Sequence, residues 1–160
     1  LRDVYKRQAL ARASGLGGMV GGQALDLMAE TSKPDEAGII TLQAMKTGAL
    51  IRFACEAGAI IANASSEDRE RMAEFGSAIG LAFQLADDLL DVTADAEAMG
   101  KATGKDAAAG KATLVSLHGI DWTRKQLSGL VAQAESLLAP FGKDADILKQ
   151  AARFIAERQS

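Results

Sequence analysis

Six apolar residues, Met72, Phe75, Ile79, Phe83, Ala86 and Leu90, follow one another at intervals of three and four within residues 67–92. That spacing draws one stripe along an α-helix; a strand would repeat every second residue. A second stripe, Ile39, Leu42, Lys46, Ala49, Leu50 and Phe53, runs through 39–62 with the same period. No segment alternates with period two and no internal repeat is visible, so the chain is predicted to be all-α. The composition agrees. Of 160 residues, 32 are alanine, against five valines, nine isoleucines and an aromatic share of 4%. Alanine and straight-chain residues favour helix, while the residues that fill strands are scarce. A hydrophobic share of 48% is enough to drive collapse, which excludes disorder and allows one domain or a piece of one.

Punctuation residues divide the rest. Residues 19–30 read as a buried helix opened by the glycines of 15–18, and 31–38, holding Lys33-Pro34-Asp35, as a turn. Residues 63–66 break the second stripe, and Ser65 followed three residues later by Asp68 is a capping pattern for the next helix. A loop is expected over 93–111, then helices over 112–118, 121–138 (stopped by Pro140) and 144–158. Residues 1–8, Leu-Arg-Asp-Val-Tyr-Lys-Arg-Gln, lack the Ala/Gly texture that follows and read as a read-through or assembly-derived segment. The ordinary alternative is a helix continuing into 9–14.

Several functions are excluded early. A net charge of −3 provides no basic face for nucleic acid. The single cysteine, Cys55, cannot form an internal disulfide and reads as a small apolar packing residue; with one histidine, His118, it cannot build a zinc site. The most apolar stretch, 47–64, is interrupted by Arg52 and Glu56 and does not read as a membrane span. A cytoplasmic helical protein is the expectation.

The chemistry concentrates in Phe83-Gln84-Leu85-Ala86-Asp87-Asp88-Leu89-Leu90-Asp91. On a helix the three carboxylates fall within about one turn, inside a core-like sequence. Like charges buried together need a compensating cation. A hard divalent ion suits oxygen ligands, and Mg²⁺ takes few carboxylates plus phosphate and water. Downstream, Gly100-Lys101, Gly104-Lys105 and Gly110-Lys111 put lysines among glycines, which suits close approach to phosphate. Lys46, inside an apolar helix, needs either a partner or a snorkelling path to the surface.

These residues resemble the trans-prenyl diphosphate synthase (polyprenyl synthetase) family. Phe83-Gln84 with Asp87-Asp88-Leu89-Leu90-Asp91 is similar to its second aspartate-rich motif. Gly21-Gly22-Gln23-Ala24-Leu25-Asp26, Lys46-Thr47-Gly48-Ala49-Leu50, and Gly100-Lys101 followed by Gly110-Lys111 resemble its other landmarks, in the family's order. The similarity runs from about residue 9 to the end and is nearest the bacterial short-chain farnesyl and geranylgeranyl branch. It implies an isoprenoid-synthase helical bundle and a Mg²⁺-dependent condensation of an allylic diphosphate with isopentenyl diphosphate. It further implies that Asp87 ligates Mg²⁺, with Asp88 and Asp91 acting directly or through water. Lys46 and Lys101 would hold the allylic diphosphate, with Lys111 a weaker phosphate contact. Thr47 and Gln84 would face the developing carbocation, Phe83 would line the pocket of the second substrate, and Gln23 and Asp26 would shape the cavity.

The family also requires a first aspartate-rich motif, and residues 1–74 contain no Asp-Asp-x-x-Asp. Residues 9–160 are therefore expected to be the C-terminal part of one synthase domain, inactive alone, from a parent that forms a homodimer. The alternative is a non-catalytic synthase-like subunit that dimerises with a catalytic protomer. A terpene cyclase shares the chemistry, but the Lys-Thr-Gly and Gly-Lys pairs favour chain elongation.

Overall fold

The computed structural model describes residues 2–98 and 113–158. Among them there is no strand. The helices are α1 (Arg2–Ser14), α2 (Met19–Ala29), α3 (Glu36–Gln43), α4 (Ala49–Ala62), α5 (Ser66–Ala98), α6 (Leu114–His118), α7 (Ile120–Leu137) and α8 (Asp146–Glu157). A π-helical turn, Ala44–Gly48, joins α3 to α4, and a 3₁₀ segment, Ala139–Ala145, joins α7 to α8.

The first stripe becomes the central helix. α5 has 33 residues, a length of about 50 Å, and is flanked by α4, α7 and α8. Phe75, Ala78 and Ile79 of α5 pack with Ala134, Leu138, Ala145 and Ala152. One to two turns on, Ala82, Ala86 and Leu89 meet Val115 and Leu127. On another side Leu85 meets Ile39 of α3 and Leu114 of α6. Phe75, Leu85, Ile39 and Leu138 are almost wholly removed from water, each contributing about 1.5–3 kcal/mol of transfer free energy.

Local chemistry sets the boundaries. Asp35 caps α3 by accepting from the Gly38 N–H at 2.8 Å. Asn63 ends α4 in the left-handed conformation (φ 56°), which asparagine tolerates better than most residues. Ser65 Oγ accepts from the Asp68 N–H at 3.1 Å and donates to its carboxylate at 2.9 Å. Thr113 and Ser116 form a reciprocal capping box that starts α6.

Several boundaries differ from the sequence reading, and α3 already begins at Glu36, inside the turn expected over 31–38. The helix expected over 39–62 is split by the π turn at Ala44–Gly48. Residues 93–98, expected to begin a loop, continue α5 to Ala98, in keeping with the helix-forming Ala94-Asp95-Ala96-Glu97-Ala98, and the rest of the expected loop lies outside the described residues. The last helix begins at Asp146, after a 3₁₀ segment in which Gly142 (φ 57°) turns the chain. Residues 2–8 are helical and continuous with 9–14 as α1.

Two close backbone approaches fix how the front helices sit. A Cβ on Gly22 would lie 2.2 Å from the Lys46 backbone nitrogen, so only glycine lets α2 reach the π turn. At Gly80 an added Cβ would be 3.0 Å from the Gly48 Cα, which brings α5 against the start of α4. Both contacts press on the turn that carries Lys46 and Thr47.

Candidate active site

A hydrogen-bonded chain crosses from the π turn to the middle of α5. Thr47 Oγ1 donates to Gln84 Oε1 at 3.0 Å, and Gln84 Nε2 donates to Asp88 Oδ1 at 2.9 Å. Gln43, the last residue of α3, donates through Nε2 to Asp88 Oδ2, also at 2.9 Å. Asp88 is 2% exposed and Gln43 5% exposed. Two amide N–H groups thus meet the two oxygens of a buried carboxylate, as a polar group in an apolar bundle requires. This pattern also fixes the Gln84 amide, with its oxygen toward the Thr47 hydroxyl and its nitrogen toward Asp88.

The structure divides the three aspartates. At about 100° per residue, Asp88 turns inward toward α3, whereas Asp87 is half-exposed and Asp91 exposed. Asp87 and Asp91, one turn apart, therefore form an outward acidic edge, and the charge buried beneath it is that of Asp88. Asp87 accepts from Arg158 Nη2 at 2.9 Å. The Arg158 guanidinium lies over the Phe83 ring, 4.2 Å from its centroid.

Lys46 forms an ion pair with Asp26 of α2, so its charge is met by a partner as well as by partial exposure. Gln23 is exposed on the same helix and makes no hydrogen bond to the described residues of the site. Lys101 and Lys111 lie outside the described residues. Cys55 is partly buried against the Phe75 cluster. That burial pushes its thiol pKa up, which disfavours the thiolate and any role as a nucleophile.

Two participants were not singled out from sequence. Gln43 sits three residues before Lys46, on the helical face that meets α5; a glutamine between Leu42 and Met45 in an apolar stripe was the available signal. Arg158 lies 71 residues from Asp87, and no local pattern joins them.

The donor set can be tested against Mg²⁺. Among the described residues no three His, Cys, Asp or Glu side chains cluster to hold a metal by themselves. Mg²⁺ keeps several waters and is commonly bound by one or two carboxylates plus substrate phosphate. The Asp87–Asp91 edge fits that partial role and does not fit an all-protein cage.

An open groove of about 900 Å³ borders the π turn, lined in part by Ile40, Met45, Gly48, Arg52, Ser77 and Leu81. No helix among the described residues is long and apolar enough to cross a membrane.

A helical bundle with an acidic edge and a lysine-threonine turn on facing helices is the architecture of an isoprenoid-synthase fold. The polyprenyl synthetase family model matches residues 8–151, and the chain belongs to that family. It is 39% identical over 157 residues to a farnesyl diphosphate synthase of Escherichia coli (strain K12), covering 93% of this chain and 51% of that protein. It is 40% identical over 150 residues to a dimethylallyltranstransferase of Fischerella ambigua, covering 93% of this chain and 43% of that one. Among solved structures, an FPP/GFPP synthase from Zymomonas mobilis superposes with a TM-score of 0.83 at 45% identity, over 97% of this chain and 50% of that one. A putative farnesyl-diphosphate synthase from Marinomonas sp. MED121 gives 0.84 at 30% identity, over 98% and 53%. The chain spans about half the length of these relatives.

Proposed function

We propose that these residues form one wall of a Mg²⁺-dependent prenyltransferase that joins an allylic diphosphate to isopentenyl diphosphate, giving a short-chain prenyl diphosphate. The observation that carries this reading is the polar chain Thr47–Gln84–Asp88–Gln43, partly buried at Thr47 and Gln84 and buried at Asp88 and Gln43, on the helix that also carries the Asp87–Asp91 edge. A buried carboxylate met by two amides is weak evidence of a purely structural role, since apolar residues of similar volume are often at least as stable.

In the reaction the allylic C–O bond breaks, diphosphate departs with the electron pair, and the double bond of isopentenyl diphosphate attacks the carbocation; the released diphosphate then takes up the proton lost from the new cation. The difficult step is charge separation, so catalysis rests on charges already in place. Bound at Asp87 and Asp91, Mg²⁺ would neutralise the departing diphosphate. Lys46, on the neighbouring turn, supplies a cation for the same group, and Lys101 and Lys111 are assigned there through the family motif. Thr47 has committed its proton to Gln84 and keeps its lone pairs as an acceptor dipole for a cationic carbon. The apolar part of the groove beside Gly48 and Leu81 suits a hydrocarbon chain.

The relatives named farnesyl and geranylgeranyl synthases support the short-chain class. Mg²⁺ dependence, a homodimeric parent and a cytoplasmic location belong to the same proposal. So does weak activity of these 160 residues alone, because they contain a single Asp-Asp-x-x-Asp motif. The test is a radiometric assay with dimethylallyl or geranyl diphosphate, labelled isopentenyl diphosphate and Mg²⁺. It compares the chain alone with the chain joined to the preceding half of the Escherichia coli farnesyl synthase. The joined protein is expected to form product that Asp87→Ala abolishes, and the chain alone little or none. Product formation indifferent to Asp87→Ala would overturn the reading.

A further inference from the structure

The acidic edge already holds a cation, supplied by the chain itself. Arg158 follows α8 in an extended conformation (φ −61°, ψ 141°). Its side chain is only 14% exposed, whereas that of Asp87 is 49% exposed. The guanidinium donates to Asp87 Oδ1 at 2.9 Å, lies 4.2 Å above the Phe83 ring, and places Nη2 3.5 Å from the Phe83 carbonyl oxygen. Its Nε is buried and finds no hydrogen-bond partner among the described residues. A guanidinium that is desolvated but left one donor short is held by charge and ring contact, not by a saturated hydrogen-bond set. Such a contact can be exchanged.

The geometry points to Arg158 as a built-in counter-ion of the acidic edge: it neutralises Asp87 when no divalent cation is bound and must leave Asp87 when one binds. A guanidinium and a dication cannot both occupy the same side of one carboxylate without strong mutual repulsion. Asp88 beneath is tied to Gln43 and Gln84, and Asp87 is the carboxylate that Arg158 meets. Divalent-ion binding is thereby linked to release of the Arg158 side chain and to uncovering of the Phe83 ring. Arg158 is a positioning residue, acting through Asp87. The inference rests on the proposed metal role of Asp87.

The experiment measures Mn²⁺ affinity of the purified chain by electron paramagnetic resonance, in wild type, Arg158→Gln, Asp87→Asn and the double variant. Hydrogen exchange at residues 155–158 is followed as Mn²⁺ is added to wild type. Arg158→Gln is expected to bind Mn²⁺ about fivefold more tightly, the change that loss of one partly exposed ion pair allows. It should do so only when Asp87 is present, and Mn²⁺ should speed exchange at 155–158. If Asp87→Asn weakens Mn²⁺ binding while Arg158→Gln changes nothing, the acidic edge stands and the counter-ion role is overturned. If Asp87→Asn leaves Mn²⁺ binding unchanged, the metal reading fails and this inference fails with it. The wild-type exchange measurement needs no variant to fold, and unchanged exchange on saturation with Mn²⁺ also overturns the role.

Discussion

Gln43 shows what a single side chain contributes to this site. It is nearly as buried as Asp88 and gives that carboxylate one of its two amide donors. Its own Oε1 is buried without a hydrogen-bond partner among the described residues, so half of the amide is used and half is a standing cost. Replacement by leucine removes the unpaired oxygen but also the donor to Asp88, and the second loss should dominate because the deserted group is a carboxylate. Gln43→Leu is expected to destabilise the fold by about 1–3 kcal/mol, and Gln43→Glu by more, since it sets a second carboxylate against the first. Urea unfolding with both variants checks this; a midpoint equal to wild type in Gln43→Leu would show that Asp88 does not depend on it. Asp88 could be picked out by the spacing of the aspartates, and Thr47 and Gln84 by their resemblance to the family's motifs. Gln43 gave only the weak signal of a glutamine in an apolar stripe, because glutamine in a helix is ordinarily a solvated residue and its packing against α5 is what makes it part of the site.

Among the elements, the helices with strong three-and-four periodicity were readable, and what escaped was any departure from the α period. The π turn at Ala44–Gly48 falls inside a continuous apolar stripe, and the backbone approaches it closely at Gly22 and Gly80, which lie far from it in sequence. A π turn inserts one residue into the α-helical register, and this one carries Lys46 and Thr47. Glycine substitutions separate packing from propensity. Gly22→Ala drives a Cβ into the Lys46 backbone and should cost about 1–3 kcal/mol as overpacking, with α2 displaced. Gly58→Ala, in the middle of α4 with nothing within 4 Å of the added carbon, should instead stabilise by about 0.5–1 kcal/mol through helix propensity. Thermal melts of the two variants should move in opposite directions, and a shared sign would refute the assignment of Gly22 to a close contact.

For the whole molecule, α5 is both the middle of the core and the carrier of the acidic edge, so fold and site share one helix. Its buried sides toward α7 and α8 were legible as an apolar stripe. The inward turn of Asp88 was not, because a helical wheel shows where a residue points but not which neighbour covers it. The face around α2 is different in kind. Leu16, Val20, Leu27, Met28 and Ile40 are all well exposed, a concentration of apolar groups that soluble monomers seldom leave open. Self-association that grows with concentration is expected in sedimentation velocity. The pair Leu16→Ser and Leu27→Lys should shift the chain toward monomer, and an unchanged sedimentation profile would assign association elsewhere.

The close approach of Gly80 to Gly48 has a consequence for how this wall could vary. Two helices touching at backbone distance have their axial register set by atoms that every residue possesses, so the alignment of Thr47 with Gln84 does not depend on the identity of the larger side chains nearby. In an exhaustive substitution library, many apolar replacements around the seam should be interchangeable. The positions that admit no replacement should include residues that bear no functional group at all.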